Sequence, residues 1–84
     1  MPHILIYSTP TCGFCKLAKA FFKEHNAEYE ERDVTTNPAW AEEMIQKSGQ
    51  MGVPFIVVTK DGKEEHVVGF DKPRLTELLG IATV

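Results

Sequence analysis

Apolar and polar positions follow two rhythms along the chain. His3-Ile4-Leu5-Ile6-Tyr7 is a short apolar run rich in strand formers, and the cluster from Ser8 to Thr11, with Pro10, breaks it. From Cys12 to about His25 the rhythm becomes helical. Phe14, Leu17, Ala18, Phe21 and Phe22 form an apolar stripe, and Lys16, Lys19 and Lys23 recur at spacings of three and four on the other face. Glu28 to Val34 alternates weakly and predicts an edge or near-edge strand. Asn37-Pro38 supplies a helix cap and a first-turn proline for a helix over Ala39 to Ser48, which Gly49 ends. Phe55-Ile56-Val57-Val58 is a mostly β-branched strand led by Val53-Pro54. Lys60-Asp61-Gly62-Lys63 is a hairpin turn, since Asp-Gly suits a positive-φ centre, and a returning strand follows from about Glu64 to Val68. Asp71 can cap a last helix through Leu75, Leu78 and Leu79, ended by Gly80.

The predicted order is therefore βαβαββα. The first two strands should run parallel through a right-handed crossover, and the last two should form an antiparallel hairpin. Few small folds join a parallel unit to a hairpin in this order; the thioredoxin fold, a four-stranded mixed sheet flanked by three helices, is one.

Composition narrows the picture. The chain has 84 residues, 43% of them hydrophobic and 25% charged, which fits one small globular domain spanning 1–84. No segment approaches the ~18 apolar residues of a membrane span, and Met1 to Tyr7 reads as a strand rather than a leader, so the cytoplasm is the expected compartment. A net charge of −3 gives no general attraction to nucleic acid. The chain is expected to act as a monomer, away from membranes and nucleic acid.

The two cysteines lie three positions apart. A disulfide closing so short a loop does little as a staple, because stabilisation grows with loop length. Cys12-Gly13-Phe14-Cys15 instead sits where a strand passes into a helix. There the unpaired N–H groups and the positive end of the helix dipole stabilise a sulfur anion. Lys16 and Lys19 add positive charge nearby. Lowering a thiol pKa from about 8.5 to about 7 corresponds to roughly 2 kcal/mol and raises the thiolate fraction about 15-fold at neutral pH. Nucleophilicity falls about fivefold over the same shift, so the net gain in attack is only about threefold. The larger benefit is that such a thiolate also leaves readily from a mixed disulfide. A C-x-x-C pair also resembles half of a zinc site, but four ligands are needed, and His3, His25 and His66 are scattered. No bound metal is expected. By itself the lysine stripe reads as the solvated face of a helix, and its closeness to Cys12 brings the functional reading level with that one.

Tyr7 to Cys15, the Val53-Pro54 strand start and the Gly69-Phe70-Asp71 turn together resemble the glutaredoxin family, over essentially the whole chain. The resemblance implies a thiol–disulfide oxidoreductase with Cys12 as nucleophile, Cys15 as resolving thiol and Pro54 as a cis proline beside them. A cis Val53-Pro54 bond would turn the Val53 backbone toward the cysteines, where it can pair with an extended substrate. Tyr7, Thr11, Phe14, Lys16, Met51, Val53, Pro54, Gly69, Phe70 and Asp71 are the expected substrate contacts, and Phe14 with Phe55 the expected apolar collar. Asp71 matches the acidic residue that holds the γ-glutamyl end of glutathione, and it reads equally as a plain helix cap.

Two departures bear on the reductant. Glutathione-using members typically carry a lysine where this chain has Thr9, and paired glycines where it has Val68-Gly69-Phe70. The Gly-Phe pairing is similar to NrdH-type redoxins, which thioredoxin reductase reduces. Glutathione is the expected co-substrate, thioredoxin reductase the other candidate, and disulfide-containing proteins the clients. Gly13-Phe14 resembles the monothiol members that hold a 2Fe–2S cluster between subunits. Those have serine where this chain has Cys15, so dithiol exchange is favoured and cluster binding is the alternative.

Overall fold

The computed structural model describes residues 3–80. Its elements are β1 (His3–Ser8), α1 (Gly13–Glu24), β2 (Tyr29–Asp33), α2 (Pro38–Ser48), β3 (Phe55–Lys60), β4 (Lys63–Val68) and α3 (Lys72–Leu79). They follow the predicted order, with ends shifted by one or two residues. The strands form one sheet in the order β2-β1-β3-β4. β1 runs parallel to β2, and β3 is antiparallel to both β1 and β4. This is the thioredoxin fold.

Alternation along β1 sorts the core into two layers. Ile4 and Ile6 pack with Ala18, Phe21 and Phe22 of α1, Ile56 and Val58 of β3, Val67 of β4 and Leu75 of α3. Leu5 and Tyr7 point the other way, to Phe55, Val57 and Met44 of α2. Helices α1 and α3 thus cover one face, and α2 covers the other.

The helix ends obey local chemistry. Asn37 caps α2 by accepting the Ala39 N–H at 3.0 Å, with Pro38 in the first turn. Gly49 and Gly80 close α2 and α3 in the left-handed conformation. One expectation fails. Phe14 and Leu17, assigned to the apolar stripe of α1, are 64% and 52% exposed. The buried face of α1 is Cys15, Ala18, Phe21 and Phe22.

Candidate active site

Beyond Ser8 the chain turns sharply, with the Cys12 N–H donating to the Thr9 carbonyl at 3.3 Å. Cys12 is the N-cap of α1, in extended backbone, and its Sγ accepts the Cys15 N–H at 3.0 Å. The sulfur therefore meets one of the orphan donors of the helix start, as the position of the motif predicted. Cys12 and Cys15 are joined in a disulfide, with Cα atoms 5.2 Å apart. Cys12 is half-buried and Cys15 wholly buried under the first turn. An attacking group reaches Cys12 and not Cys15.

The Val53–Pro54 bond is cis. The Gly69 N–H donates to the Pro54 carbonyl at 2.9 Å, tying the end of β4 to the start of β3. Gly69 has φ +81°, which a side chain would strain, so glycine is needed at this turn. Beside it opens a cleft of about 530 Å³ lined by Phe14, Val53, Pro54, Gly69, Phe70 and Asp71, all predicted contacts. Val68, Lys72 and Pro73 line it too and were missed. Val68, apolar where Glu64 and His66 on the same side of β4 are polar, and a lysine in the first turn of a helix are weak signals that could have marked two of them.

A family model described as glutaredoxin matches residues 4–64. The chain is 40% identical over 76 residues to an uncharacterised glutaredoxin-like 8.6 kDa protein from the rubredoxin operon of Clostridium pasteurianum, covering 90% of this chain and 96% of that one. The protein belongs to the glutaredoxin family. Among solved structures, a thioredoxin-like protein superposes with a TM-score of 0.82 at 34% identity, covering 94% of this chain and 96% of that one. A buckwheat glutaredoxin–glutathione complex gives 0.67 at 25% identity, covering 92% and 69%. Family and cysteine pair together make this glutaredoxin-family protein a thiol–disulfide oxidoreductase.

Four predicted contacts lie outside the cleft lining. Thr11 is exposed in the turn before Cys12, Lys16 is exposed on α1, and Met51 is 76% exposed in the loop before the cis bond. Tyr7 is a correction. It is wholly buried on the α2 face, its ring 5.7 Å from that of Phe55 and its hydroxyl donating to Glu43. At position 7 the strand alternation turns the side chain inward, away from any substrate. Burial, and then the Glu43 carboxylate, push its phenol up to about 12. Phe55 is corrected likewise: it belongs to the core, and Phe14 alone of the expected collar lines the cleft.

Lys19 also departs from expectation. Its ammonium bonds Glu31 at 2.8 Å, and the Ser8 hydroxyl donates to the same carboxylate oxygen at 2.7 Å. These two bonds hold the Glu31 carboxyl below its ordinary range. The Lys19 charge is thus engaged at the β2 edge, and Lys16 is left as the lysine of this stripe nearest the sulfur.

Proposed function

We propose that the protein reduces disulfides of protein clients by a two-cysteine mechanism, is itself reduced by glutathione, and serves redox homeostasis in the cytoplasm as a monomer. The observation that carries this reading is the half-buried Cys12 sulfur at the helix start, with the shielded Cys15 within disulfide reach. Cys12 thiolate attacks one sulfur of the client disulfide. The Cys12–client bond forms, and the other client sulfur leaves as a thiolate and is protonated. Cys15 then loses its proton and attacks the Cys12 sulfur. The Cys12–Cys15 bond forms, the second client sulfur leaves, and the client has gained two electrons. Two glutathione molecules return those electrons in two further exchanges and leave as glutathione disulfide.

Glutathione is favoured by the cleft that Phe14 of the cysteine loop and Asp71 line, and by a family neighbour solved with that tripeptide. Turnover of a protein disulfide is to be measured with glutathione and its reductase beside turnover with thioredoxin reductase. Faster regeneration by glutathione is the expected result. Regeneration by thioredoxin reductase alone would reassign the reductant, and a visible absorption band in the purified protein would point to a cluster carrier instead.

A further inference from the structure

The ends of three segments meet around the cleft: residues 8–16, 49–54 and 67–73. In a chain with twelve acidic residues and a net charge of −3, these segments hold two lysines, Lys16 and Lys72, and one carboxylate, Asp71. One oxygen of that carboxylate, Oδ1, accepts the Arg74 N–H at 3.2 Å as the cap of α3. Away from the cleft, Lys19 pairs with Glu31, Arg32 with Glu30 and Glu43, Lys47 with Glu64, and Arg74 with Glu65, whereas Lys23, Lys60 and Lys63 form no ion pair among the described residues. Lys16 and Lys72 have no such partner among the described residues.

Lys72 also stands in the first turn of α3, where a cation adds to the positive end of the dipole instead of offsetting it. Fold stability does not favour that placement. Beside Lys72 the rim is apolar, with Phe14 64% and Val68 55% exposed, both lining the cleft, and Lys16 follows Phe14 by two residues on α1, outside the lining. Large exposed apolar side chains beside a reactive sulfur mark a surface that meets a partner.

We propose, resting on the dithiol reading above, that this rim docks protein clients whose reactive cysteine is flanked by acidic and apolar residues. Phe14 and Val68 receive the apolar side chains, and Lys16 and Lys72 draw the acidic ones. Exposed rim charges act mainly on encounter, so the preference should appear in association and fade with salt.

The test uses the reduced full-length protein in single-turnover reactions, which need no external reductant. The probes are three cyclic disulfide peptides of one sequence, differing only in two residues beside the first cysteine: Glu-Glu, Gln-Gln or Lys-Lys. The Glu-Glu peptide should react about fivefold faster than the Lys-Lys peptide in about 20 mM salt, with the gap closing near 500 mM. Lys72→Glu should remove or reverse that order. Lys60→Glu makes the same charge change at the far end of β3, roughly 17 Å along the strand and beyond a Debye length, and should preserve it. Equal rates for the three peptides, or uniform slowing by Lys72→Glu with the ratio unchanged, would overturn the docking proposal and leave dithiol exchange standing. If no peptide is reduced, although dithiothreitol reduces all three, the dithiol reading fails and the docking proposal with it.

Discussion

Helices α1 and α2 lie on opposite faces of one sheet and begin in opposite ways. At α2, Asn37 accepts an N–H at 3.0 Å, Pro38 fixes the first turn, and Gly49 closes the far end. At α1 the cap is a sulfur, and glycine, a poor helix former, follows it. Their bodies differ in the reverse sense. Four residues of α1 are buried, among them Phe21 and Phe22, whereas α2 buries only Met44. Burying a large apolar side chain contributes about 1.5–3 kcal/mol, more than a good cap does at about 1 kcal/mol. Helix α1 is held by its body, so its first residue is free for chemistry. Helix α2 depends more on its end and on polar anchors.

The largest effect should come from the α1 start. Cys12→Ser removes the nucleophile and should abolish exchange with every disulfide substrate, whereas Cys15→Ser should leave clients trapped on Cys12. Serine is nevertheless a good N-cap. Under reducing conditions, urea unfolding of Cys12→Ser should give a stability equal to wild type or a few tenths of a kcal/mol higher. Appreciable residual turnover would remove Cys12 from its role. A large loss of stability would show that the sulfur itself holds the helix.

The contrast between these helices explains what could be read beforehand. Caps, turns and strand alternation are local, so Asn37, Gly49, the Asp61-Gly62 turn and the Cys12 helix start all stand where the residues predicted them. The cleft is not local. Val68, Lys72 and Pro73 reach it because the Gly69 turn, tied to Pro54, folds back beside α1. Tyr7 was misplaced for the same reason. The family resemblance, whose motif starts at Tyr7, implied a contact, but β1 turns that ring to the α2 face, where only the sheet register reveals Arg32 as its neighbour. Nor could the sequence show Glu31 engaging Lys19 from twelve residues away.

The next effect concerns how each face is anchored. Consecutive residues of β1 reach opposite layers: the Ser8 hydroxyl bonds Glu31 on the α1 side, and the Tyr7 hydroxyl bonds Glu43 of α2. The Tyr7 phenol is raised to about 12 from an ordinary 10, by burial first and then by Glu43. Its contribution is therefore fully present below pH 10 and lost as pH rises through the folded value near 12. Chemical denaturation across that window should show wild type losing about 2 kcal/mol more than Tyr7→Phe, which has no phenol to ionise. Parallel losses would mean that the hydroxyl does not anchor α2.

The smallest effect isolates the α2 start. Asn37→Ala removes the side chain that accepts the Ala39 N–H and should cost about 1 kcal/mol. Exchange rates at Cys12 should not change, because Asn37 lines neither the cysteine turn nor the cleft. A stability loss without an activity loss is the mirror image of Cys12→Ser. If Asn37→Ala slowed exchange as well, the two helix starts would be coupled through β1, which passes beneath both. Since Tyr7 and Ser8 stand side by side at the end of that strand, measuring Asn37→Ala in a Tyr7→Phe background decides the route. A slowing that disappears in that background travels through the Glu43 anchor. One that persists does not.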